Sequence, residues 1–200
     1  MTDTRGFPEL KPVEAPPELE RFANAVRRLQ DLAVSTNPDP GLWTTTAEQI
    51  ERVCEELEGF EVPDGQAPAG RAIDLPGLGH PLIPPWTIAK FGEDGVTMEG
   101  RFSRFHVGGN MAVHGGVIPL FYDWHFGMIV SAAGRPISRT AYLHVDYRAV
   151  TPIDTPLVSR GHIERLDGRK AFITATMTDP DGTVLSEANG LMIKLLPHQP

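Results

Sequence analysis

The sequence of 200 residues contains a single cysteine and no long uncharged apolar segment. One cysteine cannot form an intramolecular disulfide, and such sparing use favours a reducing compartment, so we expect a cytoplasmic protein. No apolar run reaches the roughly 18 residues that suggest a membrane-spanning helix, and residues 1–20 lack the apolar core of a signal peptide. The net charge of −8 argues against a nucleic-acid-binding protein.

Several fingerprints of catalytic and ligand-binding sites are also absent. The sequence has no G-x-S-x-G motif, which excludes the nucleophile elbow of an α/β-hydrolase, and it has neither of the usual glycine-rich nucleotide-binding motifs. The seven histidines lack the spacing of metal ligands, so we predict no metal site. His144 and Asp146 share one face of a predicted strand and could bind a metal ion, but a solvated polar face is the commoner explanation.

Charge is distributed unevenly along the chain. Residues 1–100 contain 8 basic and 18 acidic side chains, a net charge of −10, whereas residues 101–200 contain 10 basic and 8 acidic side chains, a net charge of +2. The second half is therefore better suited to an anionic ligand. The alternative is that the surface helices of the first half are simply acidic.

Two amphipathic helices are predicted near the start of the chain. Apolar residues recur at helical spacing over about 17–34. A second helix is predicted from Thr45, where Thr45-x-x-Glu48 fits a capping box, and it ends at Gly59. Cys54 lies on its apolar stripe, and we interpret this cysteine as a small core residue because no activating partner is visible.

A segment rich in proline and glycine follows over residues 60–85 and separates the helices from the rest of the chain. We predict a helical extension with a linker over residues 1–80 and a main domain over residues 81–200. This division places every candidate site residue in the second half of the chain.

The main domain begins with the alternating pattern of β-strands. A hairpin is predicted over about 86–102, and four further strands over about 137–149, 157–166, 169–178 and 183–195. Short turns between the last three require antiparallel neighbours. Strict alternation along the first of the four places Thr140 and Asp146 on one face and Tyr147 on the opposite face.

Between the hairpin and these strands, residues 108–134 contain His114-Gly115-Gly116 followed by a nearly continuous apolar run. We expect a buried helix that starts at about Gly115, and a sheet wrapped around it, which gives an α+β domain. The free N–H groups at such a helix start could polarise a carbonyl oxygen and stabilise an oxyanion. Asp123 lies within the apolar run, where a buried carboxylate is costly unless it is paired.

The spacing of His114 and Asp123 has a consequence if both belong to the helix. Nine residues place the two side chains on roughly opposite sides and about 13 Å apart along the axis. They could not then act on one bond within a single chain, so a shared site would need two copies around a twofold axis. Singly, each residue is more often a helix cap or a structural partner, but the combination favours a site.

The motif Val113-His114-Gly115-Gly116, followed after six residues by Asp123 and later by Thr140 and Asp146-Tyr147, resembles the hot-dog acyl-CoA thioesterases of the phenylacetate-pathway (PaaI-like) type. The resemblance covers about residues 81–196. It implies an antiparallel sheet wrapped around one long central helix, with the two preceding helices as an extension. It also implies homodimers that pair their sheets edge to edge, or homotetramers.

The resemblance implies catalytic roles for four residues. The Gly115 N–H would hold a thioester carbonyl, with His114 helping to position it. Asp123 of the partner chain would be the general base or the nucleophile, and Thr140 would help to hold the attacking water.

Four further residues are implied in substrate binding, namely Asn110, Gly116, Asp146 and Arg148. Many relatives have an asparagine six residues before the histidine, at the position of Gly108, whereas Asn110 lies only four residues before it. Relatives also carry asparagine at the position of Asp146, whose charge would disfavour the anionic arm of CoA. A basic side chain near the dimer edge, Arg148, Arg160 or Arg169, would meet the CoA phosphates, although surface basic residues are usually solvated.

We therefore predict an acyl-CoA thioesterase whose partner is a small-molecule substrate and which uses no cofactor beyond the CoA of that substrate. A non-catalytic acyl-CoA-binding protein on the same fold is the first alternative, since a fold does not determine function. A hydratase acting on enoyl thioesters is the second, although the motifs that such hydratases use are not found in this sequence.

Overall fold

The computed structural model describes residues 12–63 and 65–196, which form three α-helices, one six-stranded sheet and a two-stranded ribbon. The helices are α1 (Pro17–Ala33), α2 (Pro40–Glu58) and α3 (Val117–Ala132). The large sheet contains β1 (Thr87–Gly92), β2 (Gly95–Gly100), β5 (Ser138–Tyr147), β6 (Leu157–Asp167), β7 (Lys170–Thr178) and β8 (Val184–Lys194). The ribbon contains β3 (Val107–Gly109) and β4 (Ala112–Val113). The predicted α+β class is confirmed, and every predicted strand is present.

The large sheet has the order β1-β2-β6-β7-β8-β5, and all neighbours are antiparallel. Strands β6, β7 and β8 form a meander because short turns connect them. Strand β5 precedes them in the chain but lies beyond β8, at the edge of the sheet. One face of the sheet packs against α3, and Trp86 and Phe102, from the segments before the helix, pack on Phe121 of the helix.

Helix α3 is the centre of the hydrophobic core. Its buried residues are Ile118, Phe121, Tyr122, Trp124, His125, Phe126, Ile129 and Val130. Glycines in the sheet allow a close approach, because a Cβ at Gly190 would lie 2.7 Å from a ring carbon of Phe126, and one at Gly161 would lie 2.6 Å from Ile129 Cδ1. The tight contact follows from the small size of these two residues.

His125 is a polar contact inside this apolar interface. Its ring is completely buried, with Nε2 3.2 Å from the carbonyl oxygen of Val96 and Nδ1 3.1 Å from Ser159 Oγ. A neutral imidazole satisfies both contacts, since Nε2–H donates to the carbonyl and Nδ1 accepts from the hydroxyl. Burial lowers the pKa of His125 to about 4, against a smaller opposite effect of the Val96 carbonyl. His125 therefore joins α3 to β2 and β6 in its neutral form.

We expect the protein to lose stability as the pH falls from about 6.5 to about 4, because the unfolded chain then binds a proton that folded His125 does not. The loss from this residue should be roughly 3 kcal/mol, at 1.36 kcal/mol per pKa unit. Urea unfolding at pH 7.5, 6.0, 5.0 and 4.0 measures it. His125→Gln should unfold at lower urea but with a weaker pH dependence, while His162→Gln, at an exposed position, should retain the full pH dependence. Equal pH dependence in both variants would contradict the assignment.

Helix α1 is anchored to the proline- and glycine-rich segment through Arg27. The guanidinium donates to the carbonyl oxygens of Pro76, His80 and Ile83 at 3.2, 3.0 and 3.0 Å. Burial lowers the pKa of Arg27. Asp31 adds a contact at the end of the helix, where it accepts from the Phe105 N–H at 2.9 Å. The linker is thus packed against α1 along this stretch.

Helix α2 differs from the sequence prediction in two respects. It begins at Pro40 and not at Thr45, because Asp39 is the N-cap and accepts from the Leu42 N–H at 3.0 Å, and proline at the first helical position loses no hydrogen bond. The predicted capping box at Thr45 is therefore wrong. The core placement of Cys54 is also wrong, since its side chain is exposed and α2 buries no residue.

None of the helices within the described ranges is long and apolar enough to cross a membrane.

Candidate active site

His114, the first of the predicted catalytic residues, lies in the turn before α3. Helix α3 starts at Val117, with Gly116 as its N-cap. His114 Nδ1 accepts from the Gly116 N–H at 3.0 Å, and the His114 carbonyl accepts from the Val117 N–H at 2.9 Å. The expected helix start at Gly115 is therefore wrong. His114 precedes the helix and is not part of it. The predicted placement of His114 and Asp123 on opposite sides of one helix, which assumed that both residues were helical, is therefore wrong.

Contacts from three other segments fix this turn. The His114 N–H donates to the His106 carbonyl at 2.8 Å, and the Val113 N–H donates to the Thr151 carbonyl at 2.9 Å. On the other side, Tyr147 Oη donates to the Gly115 carbonyl at 2.7 Å. The turn is thus held by the backbone before it and by a side chain of β5.

The N–H of Gly115 is available for a ligand. None of the residues that the structure describes accepts a hydrogen bond from it. A Cβ at this position would have only Tyr147 Oη within 4 Å, at 3.9 Å. A surface cavity of about 400 Å³ lies beside it, lined by Gly115, Tyr147, Arg148, Thr151 and neighbouring apolar residues. A carbonyl oxygen bound here would meet a free amide just before the positive end of a helix.

Gly108 stands where many relatives have an asparagine, and Asn110 is the nearest asparagine in this sequence. The two residues have different surroundings. A Cβ at Gly108 would lie 2.7 Å from the Cα of His114, so this backbone has no room for a side chain at that position. Asn110 lies at the exposed tip of the β3–β4 hairpin with a φ of +48°, a conformation that asparagine tolerates better than most residues. The structure therefore explains the glycine and places Asn110 in a turn.

Asp123 is exposed, which corrects the expectation of a buried carboxylate. It lies beside the edge strand β5. Thr140 Oγ1 donates to Asp123 Oδ1 at 2.6 Å and lies 3.1 Å from Met192 Sδ. One carboxylate oxygen is thus oriented by β5, and Oδ2 has no hydrogen-bond donor among the described residues.

A β-bulge in β5 places Thr140 on the helix side of the sheet. Thr140 pairs with Met192 and Tyr142 pairs with Leu191, so Ala141 is an extra residue. The bulge reverses the alternation, and Thr140 and Tyr147 therefore share the face that packs on α3. The predicted placement of these two residues on opposite faces is wrong, because strict alternation does not allow for an inserted residue.

Asp146 and Arg148 form an exposed charged cluster on the opposite face. Arg148 Nε donates to Glu187 Oε2 at 2.7 Å, and Arg148 Nη2 donates to Asp146 Oδ2 at 3.2 Å. Both carboxylates raise the pKa of Arg148, with the Glu187 hydrogen bond as the larger cause. His144 Nε2 lies 3.3 Å from the other oxygen of Asp146. A phosphate would have to compete with these carboxylates for the guanidinium.

The predicted site residues thus fall into separate groups within the chain. Thr140 contacts Asp123, and His114 contacts Gly116, but no hydrogen bond among the described residues joins the first pair to the second. Tyr147 belongs to the sequence motif, but the motif does not indicate its bond to Gly115, which depends on how β5 lies beside the turn. Within the same described ranges, no group of three or more His, Cys, Asp or Glu residues could hold a metal ion.

Comparison with known sequences gives a consistent set of relatives. A family profile described as the thioesterase superfamily matches residues 110–186. The mouse acyl-coenzyme A thioesterase THEM4 is 33% identical over 186 residues, which are 92% of this chain and 70% of the mouse protein. Its rat counterpart is 35% identical over 89 residues, and the match spans only 38% of the rat protein.

Solved structures agree with this comparison at the level of the fold. The crystal structure of RHA08564, a thioesterase superfamily protein, has a TM-score of 0.76 at 24% identity and covers 92% of this chain and 97% of its own. A hypothetical thioesterase from Streptococcus pneumoniae TIGR4, solved with coenzyme A, has a TM-score of 0.52 at 18% identity and covers 54% of this chain and 86% of its own. The similarity to RHA08564 includes the N-terminal helices.

Proposed function

This chain belongs to the thioesterase superfamily, and we propose that it hydrolyses an acyl-CoA thioester to coenzyme A and a free carboxylic acid. The name of the mouse relative and the coenzyme A in the Streptococcus pneumoniae structure support this substrate class. The observation that carries the proposal is Asp123, an exposed carboxylate on a mostly apolar helix, held through one oxygen by Thr140. The resemblance drawn from the His-Gly-Gly motif is confirmed at the level of the family.

The Gly115 N–H would bind the thioester carbonyl oxygen. Charge develops on this oxygen as the carbonyl carbon becomes tetrahedral, and a preorganised amide stabilises that charge. The absence of a side chain at Gly115 leaves room for the thioester to approach. His114, immediately before it, would help to position the same oxygen.

Asp123 would act as the general base or as the nucleophile. As a base, its free oxygen takes a proton from water while the water oxygen bonds to the carbonyl carbon. The C–S bond then breaks, and the CoA thiolate leaves and takes up a proton. As a nucleophile, the carboxylate would attack the carbonyl carbon, and cleavage of the C–S bond would release the CoA thiolate and leave an acyl anhydride, which water then hydrolyses to the free acid and the Asp123 carboxylate. Thr140 orients the carboxylate in either case.

The Gly115 turn and the Asp123 carboxylate would meet across two copies of the chain. Strand β5 supports this arrangement because it is an edge strand of ten residues, none of which is buried in the protomer. Its unpaired backbone groups can form a ladder with a second β5. Such pairing is isologous, so each dimer would contain two equivalent sites.

We expect Asp123→Asn to reduce turnover by a hundredfold or more, which is the scale of general acid–base catalysis. The fold should be kept, because residue 123 is exposed and the amide oxygen can still accept from Thr140. The measurement is thiol release from aromatic, short-chain and long-chain acyl-CoA. Cys54 is exposed and would react with thiol reagents, so the assay should use a Cys54→Ser background.

Asp181→Asn is the matched control, since it removes the same charge from an exposed turn. It should hydrolyse each substrate at the wild-type rate. Hydrolysis by Asp123→Asn at the wild-type rate would contradict the catalytic role of Asp123. Saturable binding of acyl-CoA by the unaltered protein without thiol release would instead favour the non-catalytic binding protein.

Thr140 provides a second test. Thr140→Val preserves the shape but removes the donor to Asp123, and we expect a rate loss of about ten- to a hundredfold, since small displacements of reacting groups are costly. Thr140→Ser retains the hydroxyl and should lose much less. Rates for Thr140→Val within twofold of those for Thr140→Ser would show that this hydrogen bond does not orient the catalytic carboxylate.

A further inference from the structure

Tyr147 and His114 are connected through a single peptide group. Tyr147 Oη donates to the carbonyl oxygen of Gly115 at 2.7 Å. The N–H of Gly116, which belongs to the same peptide group, donates to His114 Nδ1 at 3.0 Å. The three groups therefore form a chain of hydrogen bonds that runs from the end of β5 to the imidazole ring.

We propose that Tyr147 is a positioning residue for the thioester site, which acts through the Gly115–Gly116 peptide to hold His114 as the neutral tautomer protonated at Nε2. This inference rests on the proposed function for its catalytic consequence. It assigns to Tyr147 a role that no sequence motif indicates, and it makes His114 a hydrogen-bond donor to the ligand.

The tautomer follows from the direction of the second hydrogen bond. A backbone N–H can only donate, so the ring atom that receives it must offer a lone pair. Nδ1 of His114 is therefore unprotonated, and in the neutral ring the proton lies on Nε2. An N–H donor at Nε2, one residue before the free Gly115 N–H, would help to hold the same carbonyl oxygen. His114 would not serve as a general base in this state.

The Tyr147 hydroxyl strengthens this arrangement in two ways. It polarises the Gly115–Gly116 peptide group, and a polarised amide is a better donor to His114. It also fixes the orientation of that peptide, which would otherwise depend on two flexible glycine residues. Tyr147 lines the cavity beside Gly115, so its position links the turn to the space where a ligand would bind.

The bulge in β5 makes this assignment possible. Thr140 and Tyr147 are seven residues apart and would lie on opposite faces of a regular strand. The extra residue at Ala141 brings both onto the side of α3. One strand therefore orients the Asp123 carboxylate through Thr140 and the Gly115 turn through Tyr147.

Tyr147→Phe removes only the hydroxyl and is the direct test. We expect kcat for the best acyl-CoA to fall about tenfold with a smaller change in KM, because an indirect positioning contact should cost less than a direct oxyanion donor. Tyr142→Phe is the matched control, since Tyr142 lies on the same strand and is exposed. It should leave kcat unchanged. In a His114→Ala background, Tyr147→Phe should cost less than twofold, because the two residues would act as one unit.

Nitrogen NMR of labelled histidine separates this inference from the proposed function. The His114 signals of the unaltered protein should show a proton on Nε2 and none on Nδ1, and Tyr147→Phe should shift them toward a mixture of tautomers. A proton on Nδ1, or identical His114 signals in both proteins, would overturn the inference. If no acyl-CoA is hydrolysed, the proposed function fails, and the NMR result still decides the role of Tyr147. Equal kcat for the Tyr147→Phe and Tyr142→Phe variants of an active enzyme would also overturn it.

Discussion

Half of the sixteen residues of α3 are buried against the sheet and the segments around it. Each large apolar side chain stabilises the fold by roughly 1.5–3 kcal/mol when it is removed from water, so this contact dominates the core. The close approach at Gly161 and Gly190 and the polar contact of His125 set how the helix lies on the strands. Because the helix is fixed in this way, the turn at its start and the carboxylate in its second turn have fixed places relative to the sheet.

Strand β5 connects the core to both halves of the candidate site. Thr140 holds Asp123, and Tyr147 holds the carbonyl of Gly115. The strand is also an edge of the sheet, where its backbone can pair with another chain. The strand would therefore position the reacting groups through the side chains of Thr140 and Tyr147, and its backbone would form the contact between copies. A change in the register of β5 would displace both groups together.

Much of this arrangement could be predicted from local patterns. The alternation of apolar and polar residues predicted the strands, the apolar run predicted the central helix, and the His-Gly-Gly motif predicted the turn before it. The predictions that were wrong concern features that depend on contacts between residues far apart in the sequence. The bulge at Ala141 appears only in the pairing with β8, and the exposure of Asp123 depends on which side of α3 the sheet covers. The start of α2 was missed because Asp39-Pro40 fits a helix start as well as a helix end.

The central claim is that Gly115 of one chain works with Asp123 of another. Mixing two inactive variants tests it most directly. Gly115→Val places a side chain where the carbonyl would bind, and a Cβ there meets no close neighbour within the chain, while Asp123→Asn removes the carboxylate. After equal amounts are dissociated and reassociated, a site shared by two chains predicts recovery of about one quarter of the wild-type activity, since half of the dimers are mixed and each has one intact site. No recovery from a mixture proven to contain mixed dimers would contradict the claim.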